Sequence, residues 1–135
     1  SNQYKKKVLA PEYGGDGRKV GRCPSAKDPL VSFPGHWAPM AIAFYNSDAF
    51  GSKYKGGLFI AFHGSWNRAP LPQAGYRVGF VPFENGAPTR QYSTFATGVG
   101  GETELRASGL AVSPEGALYI SADQNQKIWR VTRGQ

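Results

Sequence analysis

One strand pattern is written twice in this chain. Ala41-Ile42-Ala43-Phe44 resembles Gly109-Leu110-Ala111-Val112, and Gly57-Leu58-Phe59-Ile60-Ala61 resembles Gly116-Ala117-Leu118-Tyr119-Ile120-Ser121 when the leucines are aligned. Tyr76-Arg77-Val78 resembles Trp129-Arg130-Val131, so three matches occur in the same order. A further strand-like run, Tyr92–Ala96, separates the two copies. Four antiparallel strands per repeat is the unit of a β-propeller blade. The expected fold is therefore all-β, a partial β-propeller of about two four-stranded antiparallel blades. The second copy stops after its third strand; in propellers that close by a shared blade, the fourth comes from the distant N-terminus.

The local signals agree. Apolar or alternating runs bounded by turn residues predict strands at Met40–Tyr45, Leu58–Phe62, Tyr76–Phe83, Tyr92–Ala96, Leu110–Ser113, Ala117–Ser121 and Lys127–Thr132. Glu84-Asn85-Gly86 and Pro114-Glu115-Gly116 read as hairpin turns. From Gly14 to Pro39 the chain is rich in Gly, Pro and charge and reads as loop, with a short strand expected before it at Lys7–Ala10. Ser47–Tyr54 suggests a short helical turn. The organisation expected is a loop-rich segment over 1–38, a first blade over 39–97 and a second, incomplete blade over 98–135. Two blades cannot close a ring, so the chain reads as a fragment, one chain of a cleaved protein or an assembly unit, expected to associate with missing blades or with itself.

Composition excludes several classes. The 18 glycines, 10 prolines and 18 aromatic residues favour short strands and tight turns over long helices. One cysteine, Cys23, excludes an internal disulfide and any cysteine-based metal cluster. No stretch approaches the roughly 20 apolar residues that span a bilayer. The net charge of +7 raises nucleic acid as a partner, but beyond Lys5-Lys6-Lys7 and the Arg18-Lys19 and Arg22 group the cations are scattered rather than striped. No nucleic-acid partner is expected.

Loop phase places a candidate site. In a blade whose strands run outward from a central channel, the loops leading into the first strand and those joining the second to the third share one face. Phe33–Pro39 leads into the first strand, and His63-Gly64-Ser65-Trp66-Asn67-Arg68 opens the long second-to-third connection. Gly98–Ser108, with Arg106, leads into the second copy, whose own second-to-third loop is Asp123-Gln124-Asn125-Gln126. His36, His63, Trp37, Trp66, Arg68 and Arg106 thus converge on one face. The aromatic faces of Trp37 and Trp66 suit either loop packing or the walling of a planar cofactor or sugar ring. A guanidinium at Arg106, just before an innermost strand, suits bidentate capture of a carboxylate. The histidines have no carboxylate at metal-site spacing and no HExxH pattern, and either can serve as a bond to a backbone carbonyl. Ser65 lacks the second glycine of a nucleophile elbow, which argues against serine hydrolase chemistry.

At these residues a family resemblance becomes specific. Leu9-Ala10-Pro11-Glu12-Tyr13-Gly14-Gly15-Asp16-Gly17, His36-Trp37-Ala38-Pro39, Tyr54-Lys55-Gly56-Gly57, Phe59–Arg68 and the run from Ser113-Pro114-Glu115-Gly116 to Ile128-Trp129-Arg130-Val131 resemble the C-terminal part of L-sorbosone dehydrogenase-like proteins, relatives of soluble PQQ glucose dehydrogenase. The likeness runs from about Tyr4 to Thr132, and its Phe59–Arg68 block is the most specific part. It implies a quinoprotein that oxidises a sugar hydroxyl or aldehyde by hydride transfer to pyrroloquinoline quinone (PQQ), with electrons passed on to a cytochrome or quinone. It also implies that the all-β fold is part of a six-bladed β-propeller, and a periplasmic or secreted location. Arg106 matches in position an arginine the family uses on PQQ, and Arg68, His63, His36 and Trp66 are further cofactor-facing candidates. Relatives often have Arg-Pro-x-Gly or Arg-x-Arg there, whereas this chain has Arg106-Ala107-Ser108-Gly109, so no second arginine is available at Ser108. No catalytic residue and no metal ligand is expected within this stretch. The base histidine and the main calcium loop would lie in earlier blades, so this chain alone is expected to be inactive. The competing expectation is a sugar- or protein-binding propeller that has lost its redox chemistry.

Overall fold

The computed structural model describes residues 7–134, and the chain divides at Leu30/Val31 into two compact units. Lys5 and Lys6 of the expected basic run lie outside the described residues.

The first unit is held by turns. Single 3-10 turns form at Pro11–Tyr13 and Cys23–Ser25, each with a proline in its first positions, where the missing N–H costs nothing. The Asp16 carboxylate accepts the backbone N–H groups of Arg18 and Lys19 at 2.8 and 2.7 Å. The expected strand at Lys7–Ala10 does not form. Its ladder is reduced to one bond, from Leu9 N–H to the Lys19 carbonyl at 2.9 Å, and Pro11 then turns the chain. The Lys7–Asp28 ion pair at 3.0 Å is exposed on its acidic side and adds little.

The second unit carries all nine strands found among the described residues. They are β1 (Pro39–Tyr45), β2 (Gly57–Phe62), β3 (Arg77–Val81), β4 (Phe83–Glu84), β5 (Ala87–Pro88), β6 (Ser93–Ala96), β7 (Ala107–Val112), β8 (Leu118–Ala122) and β9 (Lys127–Val131). Sheet one is four-stranded in the order β1-β2-β3-β6, and sheet two is three-stranded, β7-β8-β9. Every pairing is antiparallel. The all-β class and the strand unit written twice are therefore present. The run expected as one strand over Tyr76–Phe83 is broken at Pro82, which has no N–H to give to a ladder. Beyond it, β4 and β5 form a small hairpin whose turn residues, Asn85 and Gly86, have φ of 51° and 78°. Ser47–Tyr54 is not helical: it is two successive turns closed by Gly51 N–H to Asp48 O and Tyr54 N–H to Gly51 O.

The sheets stack face to back. Tyr45, Phe59, Ala61, Val78 and Phe80 of sheet one are buried in one core with Ala107, Leu118, Ile120 and Ala122 of sheet two. Leu110 and Val112 pack against that core, whereas Ile42 and Phe44, their counterparts in the first copy, lie on the opposite face of sheet one and are 63% and 55% exposed. Equivalent residues thus have a neighbouring sheet in one copy and none in the other, where Phe44 meets only the edge of the Phe83 ring at 5.5 Å among the described aromatic pairs. Phe59 is at the centre of the core, within 4.5–6.3 Å, centroid to centroid, of Tyr45, Phe50, Tyr54, Phe80 and Phe95. The Tyr45 hydroxyl donates to the Gly116 carbonyl at 2.8 Å and accepts the Phe50 N–H at 3.2 Å, tying sheet one to the β7–β8 turn.

Candidate functional site

Strand register decides which loops meet. Pro39 of β1 and Arg77 of β3 both pair with Phe62 at the end of β2. In sheet two, Ala107 and Lys127 both pair with Ala122 at the end of β8. The lead-ins to β1, β3, β7 and β9 and the exits of β2 and β8 therefore share an edge in each sheet. A side-chain hydrogen bond joins the two edges: His63 Nε2 lies 2.9 Å from Asp123 Oδ1. His36, His63, Trp66, Arg68 and Arg106 lie in loops that leave these edges, and they divide into two groups, since Arg106 and the His36–Arg68 pair line separate cavities.

The first group is built on Arg106. Its guanidinium lies over the Tyr76 ring, 4.8 Å from the centroid. Tyr76 is buried, and its hydroxyl donates to the Ser65 carbonyl at 2.8 Å. Ser65, itself buried, exchanges backbone N–H and side-chain Oγ bonds with Ala74 at 2.9 and 2.8 Å. Gly64 is left-handed (φ 89°), and a Cβ there would come within 2.1 Å of the Tyr76 ring. The seat of Arg106 is thus fixed by the loop that follows His63. Arg106 has no carboxylate partner among the described residues, and its Nε is buried with no hydrogen-bond partner. Beside it, Asn125 donates Nδ2–H to the Glu104 carbonyl at 2.8 Å, which leaves its buried Oδ1 without a donor. Thr103, Glu104, Arg106, Gln124, Asn125 and Lys127 line a cavity of about 340 Å³.

The second group is His36 with Arg68. They line a separate depression of about 300 Å³ with Gly35, Asn67, Ala69, Pro70 and Leu71. His36 is exposed and left-handed (φ 66°), as is Ala38 (φ 50°), so backbone strain gathers just before β1. Arg68 donates Nη1–H to the Pro72 carbonyl at 2.9 Å. Trp66 is 82% exposed and stacks on no ring or cation among the described residues, whereas Trp37 is buried under the Arg77 guanidinium at 4.6 Å. Of the two readings open for Trp37, the structure selects packing.

Three residues of this edge had no role assigned from sequence: Tyr76, Asp123 and Asn125. Ser108 sits at a bulge between Ala107 and Gly109, its Oγ 3.0 Å from Ser121 Oγ. The hydrogen bond from His63 holds the Asp123 carboxyl below the usual carboxylate range. A depressed folded-state value means that the link stabilises the fold at pH above the ordinary carboxylate range and is lost as pH falls through the depressed value. The side-chain carboxyl carbon of Asp123, followed by 13C NMR, is expected to titrate at lower pH than that of an unstructured aspartate. A midpoint at the ordinary value would remove the link from solution.

The TrAA12-like family model matches residues 10–134. The chain belongs to the TrAA12-like family. It is 29% identical over 130 residues to a pyrroloquinoline quinone-dependent pyranose dehydrogenase of Coprinopsis cinerea, covering 81% of this chain and 17% of that protein. It is 32% identical over 106 residues to an uncharacterized protein of Borreliella burgdorferi, covering 76% and 27%. A solved Trichoderma reesei structure of Carbohydrate-Active Enzymes Family AA12, determined with calcium, superposes with a TM-score of 0.65 at 25% identity, over 84% of this chain and 29% of that one. The TrAA12-like chain thus spans less than a third of the proteins it matches. The PQQ quinoprotein relationship holds at this level; the likeness to sorbosone and glucose dehydrogenases is narrower than the comparisons reach.

Proposed function

We propose that this TrAA12-like chain is part of a PQQ-dependent dehydrogenase for sugars or aldehydes, of L-sorbosone or aldose type, and that its Arg106 edge faces the cofactor. The observation that carries this reading is a guanidinium mounted on a buried tyrosine, with no ion-pair partner among the described residues, in a cavity of ligand size whose lining also includes Glu104. PQQ bears three carboxylates, so the donor set fits: Arg106 supplies the fork, Lys127 adds charge at the rim, and Asn125 Oδ1 offers an acceptor. Bound PQQ would supply a quinone that accepts a hydride from a sugar carbon. The residues of this chain would bind and orient: Arg106 holds a carboxylate, Tyr76 fixes the guanidinium plane, and the Gly64–Ser65 turn fixes Tyr76. His63, Arg68, His36 and Trp66 complete the face, the last three nearer the substrate or acceptor approach. No group of three or more His, Cys, Asp or Glu among the described residues is placed to hold a metal ion, so no calcium ligand is assigned here.

The propeller reading is supported by the face-to-back stacking of two copies of one strand unit. An exported, periplasmic or secreted protein, passing electrons to a cytochrome or quinone, is the corresponding cellular proposal. The test is Arg106→Ala in the full-length protein, followed by PQQ titration. Affinity is expected to fall by about 1.5–3 kcal/mol, the scale of a hydrogen bond to a charged group. An unchanged titration removes Arg106 from the site. A full-length protein that binds sugar but neither takes up PQQ nor oxidises would instead be the degenerate binding propeller.

A further inference from the structure

His63 and Asp123 come from loops of different sheets, 60 residues apart in sequence, and meet at 2.9 Å. Asp123 is largely exposed, whereas the His63 side chain retains 25% exposure. An exposed ion pair of this kind adds little to stability, so stability alone is a weak reason for the arrangement. Its chemical consequence is larger. A carboxylate accepts only, so the His63 nitrogen facing it, Nε2, must carry the proton. In neutral imidazole the other nitrogen, Nδ1, is then the acceptor. Among the described residues nothing donates to Nδ1. His63 follows directly on β2 and precedes Gly64-Ser65, whose carbonyl holds the Tyr76 that carries Arg106. Asp123 immediately precedes Gln124 and Asn125, which line the Arg106 cavity. The pair therefore sits where the two supports of that cavity join.

We propose that Asp123 is a positioning residue that fixes the ring orientation and tautomer of His63, so that the edge that carries the Arg106 guanidinium also presents a bare imidazole nitrogen. The pairing of a fixed acceptor with a fixed cation would select a ligand carrying a hydroxyl or ring N–H next to a carboxylate. A planar heterocyclic acid has that chemistry, and so, more loosely, does a sugar acid. This rests on the cofactor-facing reading above and assigns Asp123 a part in it.

The experiment uses the full-length protein labelled with 15N-histidine. At alkaline pH, where imidazole is neutral, His63 is expected to show a protonated Nε2 and a bare Nδ1, with its Nδ1 signal shifting on addition of PQQ. Asp123→Ala should give mixed tautomers and weaken PQQ binding several-fold. Asp123→Asn keeps an acceptor oxygen and should restore most of both. A role confined to tying the loops would lower thermal stability in Asp123→Ala and leave the PQQ titration and its tautomer dependence unmoved. A protonated Nδ1 in the native protein, or equal PQQ affinity in native, Asp123→Ala and His63→Gln proteins, overturns the proposal. If Arg106→Ala weakens PQQ binding while the Asp123 variants do not, this inference fails and the cofactor reading stands. If neither has an effect, the cofactor reading fails with it. Gluconate, titrated in parallel, distinguishes a sugar-acid site from one for the planar heterocycle: tighter binding of gluconate than of PQQ would overturn the heterocycle assignment.

Discussion

Phe59→Ala is expected to lower the unfolding free energy by about 3–5 kcal/mol, the usual cost of deleting a buried phenylalanine. Phe59 is fully buried, and five aromatic rings surround it. Those rings are themselves confined on several sides. Tyr45 is anchored by hydrogen bonds to Gly116 and Phe50, and Phe80 closes on Gly57, where a Cβ would fall 2.3 Å from its ring. The site has little freedom to collapse, so the cavity should persist and the cost should lie in the upper part of that range. Denaturant unfolding of the full-length protein measures it. A loss under about 1 kcal/mol would mean that the cluster repacks freely, contrary to the geometry.

Gly64→Ala is expected to cost about 2–4 kcal/mol, from left-handed backbone strain together with overpacking against Tyr76. Gly56 provides the control. It too is left-handed (φ 76°), but a Cβ there meets nothing within 4 Å, so Gly56→Ala should show the strain alone. The difference between the two variants isolates the Tyr76 contact. Because Tyr76 carries Arg106, Gly64→Ala should also weaken PQQ binding, whereas Gly56→Ala should leave it unchanged. Equal stability losses in both variants would show that the Tyr76 ring moves aside without cost.

The fold was legible where the physics is local and periodic. Leu58–Phe62 and Lys127–Thr132 announce themselves by length, β-branched content and flanking turns, and the structure places strands within a residue or so of both. The repeat added what periodicity cannot, namely which strands are equivalent. Its alignment of Leu58 with Leu118 is matched by the register, where Phe44 pairs with Leu58 and Val112 with Leu118. Less legible were features that depend on a single backbone group. Pro82 ends β3 inside what reads as one apolar run, and the Lys7–Ala10 run has strand-like residues but no partner strand to complete a ladder. The site divided along the same line. Arg106 and His63 could be placed by loop phase, since that needs only strand order. Asp123 could not be paired with His63, because the contact depends on how one sheet stacks on the other, and no local pattern encodes that distance.

The stacking of the two sheets has a sense of direction. The face of sheet two that meets sheet one includes Leu110 and Val112; on the corresponding face of sheet one Ile42 and Phe44 are exposed on β1, while Ile60, Phe62 and Val81 are covered by Phe33, Trp37 and Phe83. On sheet two, Gly109, Ala111, Tyr119, Ser121 and Ile128 line a shallow apolar depression of about 300 Å³. The pair of sheets thus has two unlike ends. A contact that joins unlike ends is heterologous: repeated, it generates either a closed ring or an open filament, according to whether its rotation divides a full turn. Continued between separate copies of this chain, the same contact cannot produce a two-fold dimer. It can only add subunits in one polar direction until the ring closes or growth runs on.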